Sequence, residues 1–258
     1  MMLSGKVVVV TGASSGIGAA MVKELSKRGA IPILMARSED KLGGIAAELA
    51  GEHGLYPLDV TSNKQVQDTM ASVINRFGRI DVLINNAGYG VFDKLTDASV
   101  DEMSEMMNVN YMGTVRCIKA VLPAMLEARS GHIINIASLA GKIGSAKSSG
   151  YSATKHAVLG FTNSLRQELM GTGVKLSAIN PGPIDTPFFD RADPSGQYIK
   201  NIKWFMLKPE KVVGTIIRTI ERGTPEVNMP WVAGFGAKFA ILFPRIFEKV
   251  AYRMLNKK

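Results

Sequence analysis

Four consecutive valines lead directly into a segment with three closely spaced glycines, and this pair of features constrains the fold most. The valines occupy positions 7–10, and the following segment reads Thr11-Gly12-Ala13-Ser14-Ser15-Gly16-Ile17-Gly18. An apolar β-branched run of this length is typical of a strand buried on both faces of a parallel sheet. The glycines allow a tight turn, and residues 19–27 then follow a helical pattern. The chain is therefore expected to begin with a strand, a glycine-rich turn and a helix.

Strand-like and helix-like segments alternate along the rest of the chain. We expect strands at residues 7–10, 31–35, 55–57, 82–84, 133–136 and 175–179, and helices at residues 19–27, 38–50, 63–77, 100–127 and 151–170. This alternation predicts βαβ units, and hence an α/β fold with a parallel sheet and helices on both faces. We expect one domain over residues 1–228 with an insertion near 183–210, and a tail of different character over residues 229–258.

Charge is distributed unevenly along the 258 residues, whose net charge is +9. Residues 1–199 carry 19 basic and 18 acidic side chains, whereas residues 200–258 carry 12 basic and 4 acidic ones. The basic character belongs to the C-terminal part, and without a basic stripe or binding module in the main fold we expect no nucleic-acid partner. Cys117 is the single cysteine, and we expect neither an internal disulfide nor a secretory signal. These features favour a reducing, cytoplasmic location.

The glycine-rich segment has the properties of a phosphate-binding loop. Glycines let the backbone approach a pyrophosphate closely, and the following helix N-terminus supplies free N–H groups and the positive end of its dipole. The spacing Gly-x-x-x-Gly-x-Gly differs from the Gly-x-Gly-x-x-Gly pattern of the larger dinucleotide-binding enzymes. A glycine-rich turn without a ligand is the alternative, and the strand–turn–helix setting disfavours it.

Arg37, nineteen positions after Gly18, bears on the choice of nucleotide. An NAD-binding site usually carries Asp or Glu near this point to hold the ribose 2′-hydroxyl. Here Arg37 is followed by Ser38, and the first carboxylate is Glu39. A guanidinium can donate two parallel hydrogen bonds to a phosphate, so we predict NADP(H) rather than NAD(H). An ordinary surface arginine is the alternative.

Tyr151 and Lys155 are four residues apart in a segment predicted to be helical, and Ser138 lies thirteen positions before Tyr151. The four-residue spacing stacks the phenol and the ammonium group on one face of a helix. A nearby positive charge favours the phenolate and lowers the pKa of a tyrosine from its usual value of about 10. The pair is expected to supply a general acid or base, although Tyr-x-x-x-Lys alone also occurs on ordinary solvated helices.

These motifs, taken with several others, resemble the short-chain dehydrogenase/reductase family. The series comprises residues 11–18, Asp59-Val60, Asn85-Asn86-Ala87-Gly88, Asn110, Ser138, Tyr151 with Lys155, and Pro181-Gly182 followed by Thr186. It covers roughly residues 5–187. The resemblance implies a doubly wound Rossmann-type sheet of about seven parallel strands and a homodimer or homotetramer. It also implies nicotinamide-dependent redox chemistry at a carbonyl or an alcohol.

The resemblance further implies which residues bind the cofactor. They are Gly12, Ser14, Ser15, Gly16, Ile17 and Gly18 at the phosphates, Arg37 and Ser38 at the 2′-phosphate, Asp59 and Val60 at the adenine, Asn86, Ala87 and Gly88 at the central ribose, and Pro181, Gly182, Ile184 and Thr186 at the nicotinamide. Two of these motifs have plain structural alternatives. Asn85–Gly88 could be an ordinary turn, and Asp59 could cap the helix predicted at residues 63–77.

In the mechanism that the resemblance implies, a hydride passes between the nicotinamide and a carbonyl carbon. Tyr151 would supply the proton, Ser138 would donate to the carbonyl oxygen, and Lys155 would bind the nicotinamide ribose. Tyr151 and Lys155 would thus both belong to the cofactor-binding residues. Asn110 would hold a water that connects Lys155 to solvent. The main alternative is a nucleotide-binding regulatory protein that kept the fold without catalysis, which the presence of all four side chains disfavours. No histidine has a partner at metal-ligand spacing, so we expect no metal site.

Apolar side chains recur in the insertion near residues 183–210. They are Phe188, Phe189, Trp204, Phe205, Met206 and Leu207. Beside a nicotinamide site they favour a mobile lid over a small apolar carbonyl or alcohol substrate. Packing on the core as ordinary anchors is the alternative.

The tail combines apolar and basic side chains. Trp231, Phe235, Phe239, Leu242, Phe243, Ile246, Phe247, Val250 and Met254 fall on one approximate helical face, with Lys238, Arg245, Glu248 and Lys249 roughly opposite. This predicts an amphipathic basic helix that Pro244 divides, too short to span a bilayer. It either lies on an anionic membrane surface or packs over the substrate pocket or another subunit. The second interpretation is favoured, because such helices usually pack inward.

Overall fold

A seven-stranded parallel sheet forms the centre of the protein. The structure is a computed structural model that describes residues 2–245, apart from the side chains of Lys238 and Ile241. The strands are β1 Val7–Thr11, β2 Ile31–Ala36, β3 Gly54–Pro57, β4 Val82–Asn85, β5 Gly131–Ile136, β6 Val174–Pro181 and β7 Glu226–Met229. They pair in the order β3-β2-β1-β4-β5-β6-β7. This confirms the α/β fold and the doubly wound Rossmann-type sheet, whose order reverses between β1 and β4.

Helices connect the strands on both faces of the sheet. They are α1 Gly16–Lys27, α2 Glu39–Ala46, α3 Asn63–Phe77, α4 Val100–Met107, α5 Gly113–Glu127, α6 Ser149–Glu168, α7 Phe188–Ala192, α8 Gln197–Ile202, α9 Pro209–Arg222 and α10 Trp231–Leu242. The pleat of β1 shows why two layers form: Val8 and Val10 pack into one core with α1, α2 and α9. Val7 and Val9 point to the other face and pack with α3, α5 and α6.

The single helix predicted over residues 100–127 is wrong in detail. A π-helical turn, Asn108–Met112, separates α4 from α5 without ending the helical path. Such turns often occur at functional positions, and this one contains Asn110, whose side chain is buried. Strand β7 and helix α9 were missing from the expected elements. Strand β7 is only four residues long and carries two polar residues, Glu226 and Asn228, which weaken its apolar pattern.

The described part of the tail differs from the predicted amphipathic helix. Helix α10 has no acidic residue and is apolar around most of its circumference, so no single apolar face is defined. It ends at Leu242, and residues 244 and 245 are helical again, so the predicted interruption at Pro244 is confirmed. Ile246, Phe247, Glu248, Lys249, Val250 and Met254 lie outside the described residues. Within residues 2–245, no helix is both long and apolar enough to cross a membrane.

Candidate active site

A cavity of about 810 Å³ opens where the carboxyl ends of the central strands meet. In an open parallel sheet this is the expected position of a ligand site, beside the point where the strand order reverses. The loops after β1, β2, β4, β5 and β6 all contribute to its wall, and the insertion near 183–210 covers one end. The cavity therefore unites motifs that are far apart in the sequence.

The glycine-rich loop depends on close backbone contacts that a side chain would block. Gly12 has a positive φ of 66°, and a Cβ there would lie 2.9 Å from the Cα of Ala87. A Cβ on Gly18 would lie 2.2 Å from the carbonyl oxygen of Gly12. Gly18 faces the loop rather than the cavity, whereas Gly12, Ser14, Ser15, Gly16 and Ile17 line the cavity. The motif thus forms part of the cavity wall and also the close backbone packing behind that wall.

The segment 85–88 is tied to this loop by side-chain hydrogen bonds. The Thr11 hydroxyl oxygen accepts from the backbone N–H groups of Asn86 and Ala87, each at 3.0 Å. In return, Asn86 Nδ2 donates to the carbonyl oxygens of Thr11, at 2.9 Å, and Gly12, at 3.2 Å. Asn86, Ala87 and Gly88 line the cavity as predicted. The segment therefore joins the ends of β1 and β4 by hydrogen bonds and is not a plain surface turn.

Two positive side chains line the end of the cavity beside β2 and α2, which we call its far end. Arg37 and Ser38 line it as expected from the sequence, and so does Lys41 in the first turn of α2. Lys41 was not among the predicted residues, although a cation one helical turn beyond Arg37 was readable in the sequence. Arg37 and Lys41 are both exposed. Their charges make this end suited to an anionic group.

Asp59 and Val60 also line the cavity, but the Asp59 carboxylate is already engaged. Its Oδ1 accepts from the backbone N–H of Thr61 at 2.9 Å and from the Thr61 hydroxyl at 2.8 Å. The alternative that Asp59 caps α3 is wrong. Ser62 is the N-cap, and its hydroxyl accepts from the N–H of Gln65 at 3.3 Å.

Ser138, Tyr151 and Lys155 come together on the wall at the other end. Ser138 follows β5, and its hydroxyl donates a 3.4 Å hydrogen bond to the carbonyl oxygen of Pro181 and accepts one of 3.1 Å from the N–H of Ala140. The same hydroxyl is near enough to the Tyr151 phenol to lower its pKa. The turn after Ser138 packs tightly on α6, because a Cβ on Gly141 would lie 2.6 Å from the carbonyl oxygen of Lys155. This close approach sets the serine hydroxyl beside the phenol.

Helix α6 is held against β5 by a chain of buried polar groups. Asn85 Nδ2 donates to Asn135 Oδ1 at 2.9 Å, and Asn135 Nδ2 donates to the Thr162 hydroxyl at 2.9 Å. All three side chains are buried, so these bonds fix the depth and rotation of α6 in a low-dielectric interior. The phenol and ammonium groups carried by α6 are positioned by this network.

The pKa of Tyr151 is shifted in the direction opposite to the expected lowering. Burial raises it to about 12, and the nearby Ser138 hydroxyl only partly opposes this effect. Burial also lowers the pKa of Lys155 to about 8. The Lys155 nitrogen donates to the carbonyl oxygen of Ile136 at 2.8 Å and lies 5.8 Å from the centre of the Tyr151 ring. Among residues 2–245, no hydrogen bond joins this ammonium group to the phenol oxygen.

Asn110 lies behind the cavity wall and outside its lining. Its Oδ1 accepts from the N–H of Tyr89 at 3.0 Å, and its Nδ2 donates to the Tyr89 carbonyl at 2.8 Å and to the Thr154 hydroxyl at 3.0 Å. The side chain thus joins the π turn, the loop after β4 and helix α6. Its oxygen lies near Lys155 across Gly88, where a Cβ would be 2.8 Å from Asn110 Oδ1 and 3.8 Å from the lysine nitrogen.

Aromatic rings close the cavity over Tyr151. The Phe92 ring meets the Tyr151 ring edge-on at 5.8 Å, and the Phe188 ring lies 5.6 Å from it. Phe189 and Ile202 are buried in a small cluster that also contains Phe188, Met206 and Tyr198. Part of the insertion is therefore anchored as the alternative expected. Trp204 and Phe205 are different, because they are 85% and 40% exposed.

The remaining predicted residues also fall on the cavity wall. Pro181, Gly182, Ile184 and Thr186 line it beside Tyr151. Phe92, Tyr198 and Arg191 line it without having been predicted, since each is a single residue in a segment with no motif. Arg191 stacks on the Tyr89 ring, with its guanidinium carbon 3.5 Å from the ring centre.

Comparisons with known proteins agree with this geometry. The sequence model of a family described as short chain dehydrogenase matches residues 6–195. An uncharacterized oxidoreductase of Staphylococcus epidermidis is 43% identical over 188 residues, which are 73% of this chain and 82% of that protein.

Solved structures show the same architecture. A short-chain dehydrogenase/reductase of Burkholderia phymatum in complex with NAD has a TM-score of 0.87 at 24% identity, covering 95% of this chain and 96% of that one. A serine dehydrogenase complexed with NADP⁺ has a TM-score of 0.80 at 31% identity, covering 86% of this chain and 93% of that one.

Proposed function

This chain belongs to the short-chain dehydrogenase family, and from that premise we propose that it is an NADP(H)-dependent oxidoreductase acting on a carbonyl or alcohol group of an apolar substrate. The observation that carries the proposal is that the Ser138 hydroxyl and the Tyr151 phenol lie beside each other on the wall of the cavity. A phenol and a hydroxyl that face the same space can bind one oxygen atom together. Such a pair suits the oxygen of a carbonyl that gains a proton.

The residues of the cavity fit a dinucleotide. The volume of about 810 Å³ lies in the range of small-molecule and cofactor sites. Ser14, Ser15, Gly16 and Ile17 present the N-terminus of the twelve-residue helix α1 to the cavity, where free N–H groups suit a pyrophosphate. When bound, the nicotinamide ring supplies or accepts the hydride.

The choice of NADP(H) over NAD(H) is supported by the charges at the far end of the cavity. Arg37 and Lys41 both line that end, and Oδ1 of Asp59, a carboxylate that also lines the cavity, accepts two hydrogen bonds from Thr61. A 2′-phosphate would find two cations there, whereas neither Arg37 nor Ser38 is a carboxylate that could hold a free 2′-hydroxyl. A planar guanidinium is the better of the two cations for bidentate phosphate binding.

The proton step falls to Tyr151. With a pKa of about 12 the phenol is protonated at neutral pH, so it can donate its Oη proton to a substrate oxygen during reduction. Ser138 would donate its hydroxyl hydrogen bond to the same oxygen and hold it where negative charge develops. Oxidation of an alcohol requires the phenolate, which the raised pKa of Tyr151 disfavours. Lys155 therefore has to come closer to the phenol, or the burial has to change, for efficient oxidation.

An apolar substrate is supported by the rings above Tyr151. Phe92, Phe188, Phe189 and Tyr198 form a connected aromatic cluster, with neighbouring ring centres 5.1–6.4 Å apart. These rings exclude water from the phenol, which is consistent with its raised pKa. A sugar would leave its hydroxyls without partners against such a wall.

The direct test is a screen of aldehydes and ketones with the purified full chain, following NADPH absorbance. We expect consumption of NADPH with bulky apolar carbonyls, slower consumption with NADH, and none with sugars. Binding of NADPH by calorimetry without turnover of any carbonyl or alcohol would favour the non-catalytic regulatory alternative. Absence of binding to either nucleotide would contradict the proposal altogether.

A further inference from the structure

Both tryptophans of the chain are strongly exposed. Trp204 is 85% exposed in the insertion over the cavity, and Trp231 is 72% exposed at the start of α10. Large aromatic side chains rarely remain in water in such numbers unless a partner covers them. Each meets an exposed phenylalanine edge-on: Trp204 meets Phe205 with ring centres 4.9 Å apart, and Trp231 meets Phe235 at 5.7 Å.

The exposed apolar surface continues along α10. The set consists of Trp204, Phe205, Trp231, Val232, Phe235, Phe239, Leu242 and Phe243, each between 40% and 85% exposed, and we call it the aromatic rim. Only Ala237 of α10 is fully buried among its described side chains. A helix that is apolar around its circumference is normally buried. The described part of the fold leaves most of the apolar surface of α10 exposed.

The two parts of the aromatic rim are attached to one edge of the cavity. The backbone N–H of Gly182 donates to the carbonyl oxygen of Met229, two residues before Trp231, at 2.7 Å. The N–H of Leu207, two residues after Phe205, donates to the carbonyl oxygen of Pro183 at 2.8 Å. Gly182 and Pro183 are consecutive and both line the cavity. Trp231 and Phe205 are each two residues from one of these hydrogen-bonded residues, a length of chain of at most about 7 Å. Both therefore lie close to the same stretch of the cavity wall.

The charges around the aromatic rim identify its partner. Residues 200–245 contain eight basic and three acidic side chains. Lys200, Lys203 and Lys208 flank Trp204 and are exposed. A second copy of this chain would set like charges against each other across a two-fold interface. An anionic lipid surface would neutralise the same charges and accept the aromatic side chains at its headgroup level.

We propose that the aromatic rim docks this protein on an anionic phospholipid bilayer, with the mouth of the cavity toward the lipid. Helix α10 has 12 residues and is about 18 Å long, too short to cross a hydrocarbon core of about 30 Å. It therefore lies within the interface rather than spanning it. Docking stands independently of the reaction; only the use of the bilayer as the source of an apolar substrate rests on the proposed function.

Tryptophan emission and vesicle flotation test the docking without measuring activity. The full chain is mixed with vesicles of phosphatidylcholine containing about 30% phosphatidylglycerol, or of phosphatidylcholine alone. We expect flotation and a blue shift of emission with the anionic vesicles, because the chain's two tryptophans both lie in the aromatic rim. High salt should weaken both signals, since the charges are solvent-exposed. Unchanged emission and no flotation with anionic vesicles would overturn the proposal.

Substitutions distinguish binding through the aromatic rim from non-specific adsorption by exposed apolar side chains. Phe235→Ser and Leu242→Ser should each weaken vesicle binding about tenfold. Met170→Ser is the matched control, because Met170 is 78% exposed and lies in the turn after α6, outside the rim; the variant should bind like the unaltered chain. Loss of a dimer in sedimentation by Phe235→Ser, with no flotation of either protein, would assign the surface to a second copy and contradict the proposal. NADPH turnover of a water-soluble ketone, measured without vesicles, reports separately on the proposed function.

Discussion

The side-chain nitrogen of Lys155 donates a 2.8 Å hydrogen bond to the carbonyl oxygen of Ile136, the last residue of β5. Both groups are buried, and burial lowers the pKa of this lysine to about 8. Strand β5 thus holds the lysine at the cavity wall. At neutral pH its charged form is favoured over the neutral form by only about one pH unit. Its influence on the pKa of Tyr151 is smaller than the sequence spacing alone suggests.

The pKa of Lys155 predicts a pH dependence for carbonyl reduction. The lysine is charged below pH 8 and neutral above it, while Tyr151, with a pKa of about 12, stays protonated across this range. Because kcat/KM reports ionisations of the free enzyme, it should fall as pH rises through about 8. In Lys155→Arg the guanidinium stays charged, so this inflection should disappear from the residual activity. An inflection near pH 8 that survives in Lys155→Arg would show that another group titrates.

Arg37 should control the preference for NADPH. Arg37→Ala removes a guanidinium from the end of the cavity that carries two cations, and kcat/KM for NADPH should fall about 10- to 100-fold. The value for NADH should change little, because NADH has no 2′-phosphate. Lys27→Ala is the control: Lys27 is exposed at the opposite end of α1 and should leave both values unchanged. Equal losses for both nucleotides would assign Arg37 a structural role.

Gly18 should not tolerate a side chain. In Gly18→Ala the new Cβ would meet the carbonyl oxygen of Gly12 at 2.2 Å, so the loop must shift, at a cost of about 1–3 kcal/mol of unfolding free energy. The shift should also weaken NADPH binding by calorimetry. Gly160→Ala is the control in α6, where a Cβ meets nothing within 4 Å and should stabilise the helix by about 0.5–1 kcal/mol. Denaturant titrations that find both variants more stable, or both less stable, than the unaltered chain would contradict this packing.

His132 should make the fold sensitive to acid. Burial, with a smaller contribution from the charge of Lys175, lowers its pKa from 6.5 to about 4, and its Nε2 lies 2.7 Å from the Ser177 hydroxyl. The neutral form is favoured in the folded state, so this stabilisation is complete above pH 6.5 and is lost as pH falls toward 4. The difference corresponds to roughly 3 kcal/mol. His132→Gln should show a smaller fall in unfolding free energy between pH 7 and pH 4, and an identical fall would contradict the assignment.

Much of the fold was predictable because its signals are local and repeated. Sequence motifs follow β1, β3, β4, β5 and β6, and buried strands such as β1 are continuous apolar runs. Strand β7 escaped because it is short and half polar. Helix α9 was missed despite a regular pattern at Val212, Val213, Ile216, Ile217 and Ile220, all buried, which sequence periodicity could have revealed.

The site was predicted less completely, for physical reasons. Motif residues such as Tyr151 and Asn86 could be assigned from the sequence, but Phe92 and Tyr198 reach the cavity only through the path of the chain. The tyrosine pKa depends on burial, which a four-residue spacing cannot report. The π turn that positions Asn110 depends on packing against α6 and the loop after β4. Tertiary environment decided each of these features.

The most direct test of the account is single-turnover reduction of an apolar ketone by Tyr151→Phe, with NADPH affinity measured by calorimetry on the same sample. Removing only the phenol oxygen should lower the rate about 10²- to 10⁴-fold while NADPH binds with unchanged affinity. A near-normal rate in Tyr151→Phe, on a substrate that the unaltered chain reduces, would contradict the role of this hydroxyl as the proton donor.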